Sequence, residues 1–245
     1  MATESPSRDP REQARVARLL LRRCGRATLA TTFDEAPYAS LALLATDLDG
    51  SPILLLSDLA RATRNLKADP RVSLLAVSPE SGRDPLDSPR LTLLGRVEAT
   101  NDPRIRRRFL ARHPQSTLYA DFQDFHFYRM EIERAHFIGG FGHIVWIEGR
   151  DIVVSDAAKA LASDEEALIE DLNRDDRANL DKCVNRLAGH VGAGWQVSAI
   201  DPDGIDARCA DETARLDFPS VALTSEAVRA AFAGLVAAAR QKSVN

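Results

Sequence analysis

Between residues 27 and 57 the chain alternates short apolar runs with tight polar breaks, and that rhythm leaves few folds open. ATLATTF (27–33) is Thr-rich with alternating apolar residues, and DEAP (34–37) interrupts it. YASLALLATD (38–47) resumes the pattern, DLDGSP (47–52) breaks it again, and ILLLS (53–57) follows. Runs of this length joined by such short turns can only pair antiparallel, because a parallel crossover needs a dozen residues or more. The same signal returns in RVSLLAVS (71–78), RLTLLGRVEAT (90–100), FYRMEIERAHFIG (127–139), HIVWIEG (143–149) and DIVVS (151–155). About six or seven such strands tend to close into a barrel, which removes exposed edges.

Helical periodicity interleaves with the strands. Ala14, Ala17, Leu20, Leu21 and Cys24 recur at spacings of three and four, which predicts a helix over 10–24 with Gly25 as its C-cap. A helix over 58–68 is predicted with Ser57 or Asp58 as cap, an apolar face of Leu59, Ala62 and Leu66, and Asp69-Pro70 as its stop. Another is expected over 102–113, capped by Asn101 or Asp102, before a loop or broken helix at 113–125. PESGRDPLDSP (79–89) reads as a turn-rich loop, and residues 1–10 as a disordered N-terminus. The domain expected over 11–155 is therefore a barrel.

The remaining residues have a different character. A long helix is predicted over 163–187, with Ser163 and Glu166 as a capping box. Strands follow at 195–201, 204–210 and 214–219, then a helix over 224–241 capped by Thr224 or Ser225. This is an α-β-β-(β)-α module over 156–245, and the fold class expected for the whole chain is α+β. Charge supports a boundary near residue 150. Residues 151–245 hold 17 acidic and 10 basic residues, a net of −7, against 19 and 22, a net of +3, before them.

Composition excludes several functions. A net charge of −4 argues against general nucleic-acid binding. No run approaches the 18 apolar residues of a membrane span. The N-terminus lacks a secretory pattern, so a cytoplasmic protein is expected. Cys24, Cys183 and Cys209 are odd in number and far apart, which suits reduced thiols rather than a disulfide framework or zinc knuckle. Any iron-ligating imidazole must come from His113, His126, His136, His143 and His190.

The chemistry-bearing stretch is SDLARATRNLKADPRVSLL (57–75). Arg61 and Arg64, three residues apart, share one helix face, with Thr63 beside them. Arginines and hydroxyls at a helix start make a competent phosphate site; the same residues also describe an ordinary solvated basic face.

The run from PYASL (37–41) through LLLSDLARATRNLKADPRVSLL to GRVEAT (95–100) resembles the FMN-binding split-barrel superfamily related to pyridoxamine 5′-phosphate oxidase. YADFQDFHFYRMEIERAHFIGGFGHIVWI (119–147) and the C-terminal module resemble its haem-utilisation subgroup, typified by HugZ and HutZ. The resemblance implies a split barrel, a homodimer with cofactor between two copies, and FMN held by Ser40, Ser57, Arg61, Thr63 and Arg64. The activity implied is a flavin-dependent oxidoreductase of unknown substrate, with no acid–base pair evident and the redox chemistry left to the flavin.

The alternative implied is haem binding and degradation. Where the subgroup carries histidine in LAxHTRNL, this chain has Ala62, and where it has NxDH, this chain reads NRDD (173–176) with Asp176. Both departures shift the expectation from haem to FMN. His143, directly after GGFG (139–142), is the reserve haem-pocket candidate, with Arg96 and Asp124 at matching family positions. The other histidines read as surface or capping residues. GGFG suits either a plain tight turn or close approach of a cofactor edge. The tail lacks the Arg- and His-containing segment of true pyridoxamine-phosphate oxidases, so that substrate is not expected. A dimeric scaffold with a decayed site is the remaining reading.

Overall fold

The computed structural model describes residues 9–79, 85–140, 142–155 and 160–242, and the chain divides into two compact units, 1–153 and 154–245. The expected disorder of 1–10 lies outside the described residues except at its end. There Asp9 caps α1 (Pro10–Arg23) by accepting from the Arg11 amide. The middle of the predicted loop 79–89 and Phe141 of GGFG also lie outside the described residues.

In the first unit β1 (Arg26–Phe33) and β2 (Ala36–Leu43) form a hairpin. Its turn residues Asp34 and Glu35 have φ of 49° and 62°, the handedness that matches strand twist. β3 (Ala45–Thr46), β4 (Pro52–Ser57), β5 (Arg71–Val77), β6 (Arg90–Thr100), β7 (Phe125–Gly140) and β8 (His143–Glu148) complete an antiparallel sheet ordered β2-β1-β5-β6-β7-β4-β3. The 16-residue β7 holds it together. One edge runs along β6, while the other pairs first with β4 and then with β8. Leu29, Leu54, Leu74, Leu91, Leu93 and Met130 fill the interior and are fully buried. α1 packs Ala17 and Leu21 onto this core.

α2 (Arg61–Ala68) starts three residues later than expected, on an Ala60 N-cap that makes no side-chain bond. Ser57 and Asp58 are unavailable as caps because Asp124 claims them: Ser57 Oγ donates to Asp124 Oδ2 at 2.6 Å, and the Asp58 amide donates to Asp124 O at 2.7 Å. Leu59 therefore lies outside the helix and is 73% exposed, not part of its apolar face. DIVVS is likewise not a strand. Gly149–Ile152 forms a helical turn, α4, whose Ile152 is buried and whose carbonyl accepts from Arg18 at 3.0 Å. Tertiary contact overrides the β propensity of the Ile-Val-Val run.

α3 (Pro103–Arg112) is capped by Asp102 as expected and ends at His113. The His113 ring packs on Phe109 with centroids 4.9 Å apart, and its Nε2 lies 2.8 Å from Leu44 O. Burial holds this imidazole below its ordinary pKa of 6.5, so it stays neutral and donates to the carbonyl. On acidification through that value the unfolded chain takes up a proton that the folded ring refuses, so stability falls. We expect the urea midpoint of the barrel unit to drop between pH 7.5 and 5.5. His113→Asn should flatten that slope; an unchanged slope would remove His113 as its source.

In the second unit, the predicted single helix is two: α5 (Glu165–Asp175) and α6 (Arg177–Leu187), broken at Asp176 with φ −123°. Asp is a poor helix former, and Asp176 restarts the chain as N-cap of α6. The Ser163–Glu166 capping box does not form. Asp164 takes the N-cap position, and its carboxylate accepts from the Ser163 and Ser225 hydroxyls. β9 (Gln196–Asp201), β10 (Gly204–Cys209) and β11 (Glu212–Asp217) make an antiparallel meander. α7 (Ser225–Gln241) follows, capped by Thr224. Trp195, Ile205, Leu216, Phe218, Val184 and Val228 form a core proper to this unit.

Candidate functional site

The turn from β4 into α2 is fixed from two sides. Ser57 Oγ, besides donating to Asp124, accepts from the Leu59 amide at 3.1 Å. Because no side chain caps α2, its first-turn amides remain open to an anion. Arg61 and Arg64 both face solvent there. Arg61 is steadied by Phe33, whose ring centroid is 4.5 Å from the guanidinium carbon. Thr63 turns inward, fully buried, and its hydroxyl has no hydrogen-bond partner among the described residues. Beside it Asn65 donates to Thr31 Oγ1 at 3.0 Å, which ties α2 to β1. Ser57, Arg61, Thr63 and Arg64 thus share one turn and helix. Ser40 sits on β2 opposite Leu29, with its hydroxyl 3.5 Å from that residue's carbonyl.

Sequence reasoning missed the polar group beneath this turn. Asp58 is flanked by Lys67 at 2.8 Å and His126 Nε2 at 3.4 Å. The Lys67 ammonium, with His126 adding to it, holds the Asp58 carboxyl below its usual range, and Lys67 is raised in return. Burial pushes the nearby Tyr128 phenol up. The readable signal was Asp58 just before α2 and Lys67 in its last turn.

The outer face of the sheet carries a second constellation. Strand register places Leu41, Thr28, Leu75, Thr92, His136 and Trp146 in one row across six strands. Residues directly opposite share a face, so this row is continuous. Leu41 is 75% exposed and Trp146 50%, with Leu43, Val77 and Ile144 exposed in the neighbouring row. Along the row the exposed apolar side chains Leu41, Leu75 and Trp146 alternate with Thr28, Thr92 and His136, and Arg26 and Arg90 interrupt the neighbouring row. The His136 ring stacks on Trp146 with centroids 4.5 Å apart, and the Arg134 guanidinium carbon lies 4.8 Å from the same indole.

His143 opens β8 after a turn in which Gly140 and Gly142 have φ of +134° and +77°. Its half-buried ring meets the edge of Phe137, centroids 5.7 Å apart. Among the described residues, neither the His136 nor the His143 side chain makes a hydrogen bond or ion pair. The other imidazoles are engaged: His113 with Leu44, His126 with Asp58, His190 with Glu212 at 3.3 Å. Arg96 is exposed on β6 and pairs with Glu133 at 3.3 Å, while Asp124 is spent on Ser57. The structure does not bring Arg96 and Asp124 together. Among the described residues no group of three or more His, Cys, Asp or Glu could hold a metal ion, and no helix is long and apolar enough to cross a membrane.

An all-antiparallel barrel with interspersed helices, followed by a small three-stranded α/β unit, defines the α+β split-barrel class. Within it, the chain belongs to the CREG beta-barrel family, which it matches over residues 8–153. It is 37% identical over 123 residues to the non-canonical, chloroplastic haem oxygenase HOZ of Arabidopsis thaliana; the match covers 48% of this chain and 36% of that protein. The chain therefore spans about a third of that relative's length. A protein of unknown function from Agrobacterium tumefaciens is 30% identical with a TM-score of 0.75, covering 94% of this chain and 99% of that one. A haem-binding protein from Mycobacterium smegmatis is 28% identical with a TM-score of 0.55, over 98% of this chain and 100% of that one.

Proposed function

We propose that this protein is a homodimeric haem-binding protein of the split-barrel class and that it degrades the haem it binds. The observation that carries this reading is the pair of uncommitted imidazoles, His136 and His143, on the β7–β8 hairpin. Protein-bound haem iron needs an axial His, Cys, Met or Tyr, and the coordinating nitrogen must carry no other bond. With Ala62 and Asp176 where the resembled subgroup has histidines, His136 and His143, whose ring nitrogens are both unengaged, are the candidate iron ligands. The names of two relatives, one a haem oxygenase and one a haem-binding protein, support the same ligand. Bound haem would supply the redox-active iron.

The residues present fit the group in two respects. Trp146 and Ile144, on the same hairpin as His136 and His143, offer exposed apolar surface suited to a porphyrin. The exposed sheet face is what a second copy would cover, which supports the dimer.

FMN remains the second reading, favoured by one observation. The uncapped start of α2 and the exposed Arg61 and Arg64 together suit a phosphate ester. An ultraviolet–visible titration separates the two. We expect haemin to give a saturable Soret band that shifts in His143→Ala or His136→Ala, while FMN gives no quenching. Saturable FMN quenching without a haemin complex would replace haem by flavin. Titrations with neither ligand saturating would leave a scaffold.

A further inference from the structure

A cavity of about 360 Å³ opens in the second unit between the α5–α6 junction and α7. Its floor is apolar: Leu172, Phe232 and Val236, all buried. Two guanidiniums line it, and they differ in one respect. Arg229 is already paired with Asp171 at 2.5 Å. Arg240 has no hydrogen-bond or ion-pair partner among the described residues. Asp176, which accepts from Asn179, also lines the groove.

We propose that this groove binds a small amphipathic carboxylate, an acyl chain or aromatic acid with a single anionic end. An apolar floor rewards a hydrocarbon body by removing it from water. A guanidinium without a protein partner has its bidentate face open to a carboxylate. Asp176, in the same lining, repels an anion, so the ligand's one charged end lies at Arg240 and away from Asp176. The volume suits one small ligand and is too tight for a large cofactor. This site lies wholly in the second unit and stands or falls separately from the barrel's ligand.

The test is an NMR titration of the full chain with hexanoate and with hexylamine, which share a body and differ in charge. Hexanoate should give saturable shifts confined to α7 and the α5–α6 junction, and hexylamine none. Arg240→Gln should weaken hexanoate by about tenfold or more. Ala237→Leu, at an exposed lining position where folding is not threatened, should fill the groove and abolish binding. Equal binding of the amine, hexanoate binding unaltered by Arg240→Gln, or shifts that never saturate would each overturn the proposal.

Discussion

Replacing Gly95 or Gly149 by alanine is expected to cost the barrel unit about 3 kcal/mol or more, a large share of the roughly 5–15 kcal/mol that keeps a domain folded. A β-carbon on Gly95 would lie 1.9 Å from the Glu131 carbonyl oxygen, and one on Gly149 would lie 1.8 Å from that of Ile132. These are successive carbonyls of β7, and successive carbonyls of a strand point to opposite edges. The two glycines therefore pinch β7 from both sides. They do so where its register with β6 shifts at Leu94–Gly95 and its other edge passes from β4 to β8. A flexible side chain can swing away from an added methyl group; a ladder carbonyl cannot move without breaking its neighbours' hydrogen bonds. Urea unfolding of Gly95→Ala and Gly149→Ala measures the effect, and a change below about 0.5 kcal/mol would show that β7 can yield. Because His136 lies beyond the pinch, any folded fraction should also bind haemin poorly.

The elements that position the candidate site were legible where local physics decides. The β1–β2 and β3–β4 turns, the Asp102 and Thr224 caps and the Asp69-Pro70 stop all rest on interactions within a few residues. Errors arose where a distant residue intervened. Asp124 took Ser57 and Asp58 away from α2 across 67 residues of chain, which moved the helix start and exposed Leu59. Gly149 packs against the Ile132 carbonyl and opens a helical turn that the Ile-Val-Val sequence does not suggest. The basic, hydroxyl-bearing start of α2 was visible as a motif, yet the fate of each hydroxyl was not. Ser57 is bonded, whereas Thr63 is buried without a partner. The His136–Trp146 stack was readable in principle. A hairpin closing around residues 140–143 pairs 136 with 146, but the histidine was weighed alone, without its cross-strand neighbour.

Arg215→Met should unfold the second unit selectively. The Arg215 side chain is 6% exposed and grips Asp201 with two bonds of 2.6 and 2.8 Å, while also reaching Asp206 at 3.2 Å and Asp217 at 3.0 Å. Burial opposes its charge, but the three carboxylates outweigh that and hold it protonated. Methionine keeps most of the packing and leaves these acids facing one another, with Asp201 fully buried. Removing one partner of a buried ion network typically costs about 3–5 kcal/mol, because the remaining charge stays desolvated. The chain's two tryptophans divide between the units, so fluorescence of the buried Trp195 in a Trp146→Phe background reads the second unit. The pH dependence identifies the cause. Without Arg215, the folded Asp201 carboxyl titrates above its unfolded value, so the folded variant binds the extra proton and gains stability as pH falls. The deficit relative to the parent should therefore shrink between pH 7 and pH 5. If lost packing were responsible, the deficit would be the same at both.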